Sequence, residues 1–202
     1  NPYRIAAKRT IAYGVVQQLG QAPDTVLILC GGGAGMVAAF DAFREMLAAG
    51  VIDRMPRLVG VQLQPCDPTA RAFHEGRDAV TPVDKKPSLS DAIMNNNPYW
   101  GRYCLQAVRE TGGTMISVSD ADFIHTIREL GREEGLFTEP AGSVSVAALR
   151  YLVKVPGFEN PGVTVCNLTG HGLNAPQVAT DERETPGVIP PTVEAVEAFL
   201  QS

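Results

Sequence analysis

The run Thr25-Val26-Leu27-Ile28-Leu29-Cys30 passes directly into Gly31-Gly32-Gly33-Ala34-Gly35. A continuous apolar stretch of this length fits a strand buried on both faces, as in a parallel sheet, and lacks the alternation of a half-exposed strand. Parallel neighbours need crossover helices. Met36 to Ala49 supplies one, with apolar residues at helical spacing, Arg44 and Glu45 on the other side, and Gly50 as a stop. This strand–turn–helix unit predicts an α/β architecture.

The alternation recurs along the chain. Arg57 to Gln64 predicts a second strand, Pro68 to Gly76 a short helix, Tyr99 to Thr111 a longer helix broken by Gly112-Gly113, and Thr114 to Ser119 a third strand. Ser119 with Asp122 three residues on is a capping-box variant, and Phe123, Ile127 and Leu130 form the apolar stripe of a helix that Gly135 ends. Pro140 suits the first turn of a further helix whose buried side uses Val144, Ala148 and Leu152. Val163 to Leu168 predicts a last strand, followed by Thr169-Gly170-His171-Gly172. Gln177 to Thr192 is rich in Pro and Glu and reads as an extended surface segment; Val193 to Leu200 reads as a closing helix.

The expected fold class is therefore α/β, a mostly parallel sheet with helices on both faces and right-handed βαβ connections. One domain over residues 1–176 and a tail over 177–202 are expected. Ligands in such folds sit at the carboxyl ends of strands, and two of those ends are glycine-rich here, Gly31 to Gly35 and Gly170 to Gly172.

Composition narrows the function classes. At 202 residues and 45% hydrophobic the chain can bury a core, yet no apolar run is long enough to span a membrane. A net charge of -5 with scattered Lys and Arg gives no footprint for nucleic acid. Cys30, Cys66, Cys104 and Cys166 form no C-x-x-C pair and fit the reduced thiols of a cytoplasmic protein. His74, His125 and His171 have no partner at metal-ligand spacing, so no metal is expected and each reads as a surface or capping residue. No G-x-S-x-G elbow or recognisable cysteine nucleophile is present, and Glu133-Glu134 and Asp181 to Glu184 read as solvated charge. The opening Asn1-Pro2-Tyr3 has neither Met nor an apolar leader, which reads as a start that is trimmed or lies inside a longer protein.

Consecutive glycines before a helix expose backbone N–H groups, and the helix adds its positive end, so Gly31 to Gly35 predict an anion cradle. A strand-to-helix turn alone needs one or two glycines. A Walker A loop needs Lys and Ser or Thr where Met36-Val37 stand. Gly33-x-Gly35-x-x-Ala38 matches a dinucleotide fingerprint, but the next strand ends in Gln62 and Gln64 where an acid should meet the ribose. Thr169, following a buried strand, is expected to face the same crevice, and its neutral hydroxyl beside a ring nitrogen favours an uncharged pyridine. Read alone, Thr169 caps a turn and His171 is a loop residue.

Four segments in order resemble threonine synthases. Cys166-Asn-Leu-Thr-Gly-His-Gly-Leu-Asn174 is similar to the family's C-x-L-T-G-H-G-L-K element, and Asn1-Pro-Tyr-Arg-Ile-Ala-Ala-Lys-Arg-Thr10 to its N-P-Y-R-x-E-G-x-K-T stretch. Ser90-Asp-Ala-Ile93 with Asn97-Pro98 resembles A-I-x-x-G-N-P, and Glu139-Pro140-Ala141 resembles E-P-A-S-A. The resemblance implies the tryptophan synthase beta-like, fold-type-II architecture and a pyridoxal 5'-phosphate enzyme making threonine and phosphate from O-phospho-homoserine. It implies that Gly31, Gly32, Gly33, Ala34 and Gly35 hold the cofactor phosphate, that Thr169 bonds the pyridine nitrogen, and that Glu139 and His171 stand near the pocket.

Departures accompany the match. Ala6 and Ala7 replace Glu-Gly, Arg9 replaces Lys, and Gly142 replaces Ser, which makes E-P-A-G similar to the threonine dehydratases of the same superfamily. Another fold-type-II enzyme, cysteate synthase or threonine dehydratase-like, and a non-catalytic phosphate-binding module of this fold are the alternative readings. The family's Schiff-base lysine lies in a Ser-x-Lys-Asp context that precedes all four segments; of Lys8, Lys85, Lys86 and Lys154 none has that context. Lys85-Lys86, between Pro82 and Pro87, reads as a solvated loop, and Lys154 as a cation near a helix end. The resemblance thus implies the C-terminal part of the enzyme, with an amino-acid substrate, the N-terminal part of the same protein as partner, a homodimer as an allowed assembly, and little activity for the chain alone.

Overall fold

Four strands run parallel in one sheet of order β3-β2-β1-β4: β1 (Thr25–Leu29), β2 (Arg57–Leu63), β3 (Thr114–Val118) and β4 (Thr164–Cys166). The computed structural model describes residues 2–90, 93–178 and 188–201. The helices are α1 (Pro2–Lys8), α2 (Thr10–Leu19), α3 (Ala34–Ala48), α4 (Pro68–His74), α5 (Gly101–Glu110), α6 (Asp120–Glu129), α7 (Pro140–Leu152) and α8 (Val193–Leu200).

Side chains of one strand alternate between two apolar cores because successive Cβ atoms point to opposite faces. Val26, Ile28, Leu58 and Met115 join the core that α3 and α5 close with Phe40, Phe43 and Cys104. Leu27, Val59, Val61, Ile116 and Val118 join the core that α6 and α7 close with Phe123, Val144 and Leu152. Double burial of β1 and β2 explains their unbroken apolar sequence.

The register places the turn that matters. β1 lies between β2 and β4, with Leu29 opposite Val61 and Leu27 opposite Cys166. The segments leaving β1 and β4 therefore emerge beside each other at one edge of the sheet.

Local signals set the helix ends. At the start of α6, Ser119 N donates to Asp122 Oδ2 at 2.8 Å and Asp122 N to Ser119 Oγ at 3.3 Å, a reciprocal capping box. Ser119→Ala is expected to cost about 1 kcal/mol, which for a chain of this size lowers Tm by about 2–4 °C in a thermal melt.

Boundaries differ from the sequence expectation in a few places. After α6 the chain adds one wide turn, Leu130–Glu134, before Gly135 closes it in the left-handed conformation at φ 66°. β4 is three residues long where six were expected: past Cys166, Asn167 N still bonds Leu27 O, and the chain then turns at Thr169. Gln177 lies in a short 3-10 turn, Pro176–Val178, where an extended tail was expected. Asn1, Asp91, Ala92 and the charges from Asp181 to Glu184 lie outside the described residues, as do positions 179–187 of the expected tail.

Candidate functional site

Residues 31–36 turn β1 into α3. Gly33 stands at φ 90° and ψ -6° and caps α3, its carbonyl accepting from Val37 N at 3.1 Å. An L-residue is disfavoured there twice over, by the left-handed backbone and by space: an added Cβ would lie 2.4 Å from Cys104 Sγ and 2.9 Å from Trp100 Cβ. Trp100 N holds the loop from above by donating to Gly32 O at 3.2 Å. Helix geometry leaves the N–H groups at the start of α3, Gly33 to Met36, without intrahelical acceptors. With the positive end of a 15-residue helix behind them, these groups can receive an anion.

The second wall follows β4. Asn167 N donates to Leu27 O at 3.1 Å, and Ser145 Oγ of α7 donates to Asn167 O at 3.0 Å, so the chain stays beside β1 before it turns at Thr169. Glu139 N donates to Gly170 O and Gly172 N to Phe137 O, each at 2.9 Å, which zips this loop to the entry of α7. The contact is too close for a side chain at Gly170, where an added Cβ would sit 2.2 Å from the Glu139 carboxyl carbon. Thr169 Oγ1 donates to Glu139 Oε1 at 2.8 Å and Asn174 Nδ2 to Glu139 Oε2 at 2.9 Å. Gly142 has its own reason: a Cβ there would meet Thr138 Oγ1 at 2.1 Å.

Between the walls lies a cleft of about 1030 Å³ lined by Gly31 to Gly35 and by Thr169, with Val26, Ile28 and Val165 from the sheet and Asn95, Tyr99 and Trp100 opposite. The charged residues lining it are Arg4, Lys8 and Lys85, with no acid among the described lining residues. Lys85 is exposed, as expected of a loop, yet it stands on the rim of this cleft; Lys8 and Arg4 of α1 face it as well. Arg4 carried no role in the sequence reading, although it is the charged residue of the matched N-P-Y-R segment.

Glu139 reaches the cleft through Thr169 and does not line it. His171 caps the short turn Gly172–Asn174, its Nδ1 accepting from Leu173 N at 3.2 Å, while its ring meets Phe137 edge-on. His125 pairs with Glu129 along α6, and His74 Nε2 contacts Met115 O at 3.0 Å. No cluster of metal-ligating groups occurs among the described residues.

Gln62 was missed as a site residue. It is 2% exposed, and its Nε2 donates to Cys30 O at 2.8 Å while its Oε1 accepts from Thr69 N and Ala70 N at 2.9 Å. It pins the last residue before the glycine turn to the start of α4. Buried in this way, Gln62 does not line the cleft described above. Beneath the turn, Cys30 and Cys104, distant in sequence, come together. The hydrogen bond to Cys30 and burial push the Cys104 thiol well above its ordinary range, and burial pushes Cys166 up to about 11. Neither is a thiolate nucleophile at neutral pH. All four cysteines are free thiols.

The parallel-sheet α/β fold is shared with fold-type-II pyridoxal-phosphate enzymes. The processed form of threonine deaminase isoform 2 from Solanum lycopersicum superposes with a TM-score of 0.65 at 16% identity, over 87% of this chain and 48% of that one. Maize serine racemase does so with a TM-score of 0.63 at 16% identity, over 84% and 49% of the two chains. Residues 1–170 match the family described as pyridoxal-phosphate dependent enzyme, and the chain belongs to that family. It is 34% identical over 197 residues to threonine synthase of Methanosarcina acetivorans, covering 97% of this chain and 49% of that protein. Against threonine synthase of Synechocystis it is 36% identical over 181 residues, covering 89% and 44%. The chain thus spans about half the length of the curated relatives it matches. No helix among the described residues is long and apolar enough to cross a membrane.

Proposed function

We propose that this chain is the C-terminal, cofactor-binding part of a threonine synthase that converts O-phospho-homoserine into threonine and phosphate. The observation that carries the reading is the convergence of the glycine turn and Thr169 on one cleft whose charged lining, among the described residues, is all cationic. The donor set fits pyridoxal phosphate. The N–H groups of Gly31 to Gly35, with Ala34 between them, would hold the phosphate, and space remains over Gly35, where an added Cβ meets only Ile28 at 3.7 Å. Thr169 would face the pyridine nitrogen. Cofactor and substrate each carry a phosphate, and Arg4, Lys8 and Lys85 supply the positive rim that both require.

When bound, the cofactor supplies the electron sink for carbanion chemistry on an amino acid. The chain's own residues bind and orient. The α3 end would draw the phosphate, Trp100 holds the turn in shape through Gly32 O, and Val26, Ile28 and Val165 would offer the ring an apolar surface. The proton-moving lysine belongs to the other part of the enzyme, in a Ser-x-Lys-Asp element encoded upstream of Asn1. Lys154, past the end of α7, lies over the Tyr151 ring and not in the cleft. Residues 1–176 act as the cofactor-binding unit with 177–202 as an appendage, the free thiols support a cytoplasmic setting, and a homodimer is an allowed assembly.

The test is an assay of the complete gene product with O-phospho-homoserine, beside threonine and cysteate-forming substrates. Threonine and phosphate are expected as products. The 202-residue chain alone is expected to show negligible turnover, because it lacks the proton-transfer group. Turnover by the short chain, or deamination of threonine by the complete protein, would overturn the reading.

A further inference from the structure

The Thr169 hydroxyl has a single proton and two lone pairs. That proton goes to Glu139 Oε1 at 2.8 Å, so the oxygen turns only lone pairs toward the cleft it lines. The carboxylate is itself fixed in place. Asn174 Nδ2 holds its other oxygen at 2.9 Å, Glu139 N is tied to Gly170 O at 2.9 Å, and the carboxyl group lies against the bare backbone of Gly170. Pro140 begins α7 at the next residue and holds the backbone. His171, the titratable group on the same loop, has its Nδ1 occupied by Leu173 N and its ring against Phe137, and no ion pair reaches Glu139 among the described residues.

We propose, resting on the reading that this cleft takes pyridoxal phosphate, that Glu139 is a positioning residue that sets the direction of the Thr169 hydroxyl and so the protonation of the pyridine nitrogen. An unprotonated ring nitrogen offers a lone pair, which Thr169 cannot meet while its proton lies on Glu139. A ring N–H meets it directly. The alternative within the same geometry is a proton on Glu139, which then donates to Thr169 and releases the hydroxyl proton to the ring. In both arrangements Glu139, Thr169 and the ring nitrogen together hold one proton more than a hydroxyl facing a neutral pyridine would. The expectation that Thr169 favours an uncharged pyridine holds for a hydroxyl acting alone, and here a carboxylate stands behind it.

The experiment uses the complete protein, stripped of cofactor and titrated with pyridoxal phosphate by calorimetry in buffers of different ionisation enthalpy. Wild type is expected to take up about one proton more per site than Glu139→Gln, whose amide can donate to Thr169 and free the hydroxyl proton for the ring. Thr169→Val, of similar shape without the hydroxyl, is expected to lose the same uptake, and it decides the matter should Glu139→Gln not fold. The ring nitrogen resonance of ¹⁵N-labelled cofactor locates the extra proton: it moves between wild type and Glu139→Gln when that proton sits on the ring and stays in place when it sits on Glu139. Equal proton uptake by wild type and both variants, with cofactor bound in all three, would overturn the role of Glu139. Absence of any cofactor absorbance band in wild type would instead overturn the cofactor reading on which it rests.

Discussion

Replacing Gly33 by alanine is expected to abolish cofactor binding and to destabilise the chain by about 2–5 kcal/mol. The left-handed backbone costs an L-residue about 1–2 kcal/mol, and forcing a methyl group into a filled space costs about 1–3 more. Both apply here, since Gly33 is at φ 90° and its Cβ would lie 2.4 Å from Cys104 Sγ and 2.9 Å from Trp100 Cβ. Relief requires the turn to swing out, which disperses the N–H groups at the start of α3. Cys104→Ala in the same chain removes the sulfur but neither the Trp100 contact nor the backbone strain, so it restores stability only in part. Gly50→Ala is the control. It has a similar positive φ of 68° but nothing within 4 Å, so it should cost only about 1 kcal/mol and leave binding intact. Thermal melts with a fluorescence titration of pyridoxal phosphate measure both quantities. Wild-type affinity in Gly33→Ala would remove the glycine turn from the site.

Gln62→Leu is expected to be as damaging although it keeps volume and adds no clash. It strands the Cys30 carbonyl and the N–H groups of Thr69 and Ala70, all met by one buried side chain. At about 1–3 kcal/mol for each of the three buried groups left without a partner, the loss is about 3–9 kcal/mol, partly recovered if water enters. Gln62→Glu separates hydrogen bonding from shape. Its carboxylate still accepts from both N–H groups, but an ionised oxygen would face Cys30 O in a buried place. Burial raises such a carboxyl above its unfolded value, so the folded state binds the proton more tightly and the variant gains stability as the pH falls. Denaturant melts across acidic and neutral pH read this directly. A flat profile would mean that Gln62 does not bridge the turn and α4.

Why Gln62 escaped the sequence reading shows where such reading stops. The strand–turn–helix at residues 25–48 was legible because each signal is local: an apolar run, then glycines, then helical spacing. Ser119 and Asp122 were legible for the same reason, three residues apart on one turn. Gln62 bonds a carbonyl 32 positions earlier, and Thr169 bonds a carboxylate 30 positions earlier. Neither link leaves a periodicity in the chain. Strand length was legible to within one residue at β3, which has β2 on one side alone, whereas β4 stops at Cys166, short of the expected Leu168. Lys85 looked like loop charge because nothing in Pro82 to Pro87 says which cavity the loop borders. Proximity of Thr169 to the glycine turn was legible only through the rule that ligands gather at strand ends.

The pairing of Thr25 with Thr164 has a consequence for biosynthesis. A polypeptide leaves the ribosome from its amino end, so β1 and its glycine turn appear more than a hundred residues before the strand that flanks them. Contacts so far apart in sequence form slowly, and only after the intervening helices have emerged. The cleft between the glycine turn and Thr169 is therefore completed late in folding, and a nascent chain cannot present both walls until β4 has left the ribosome.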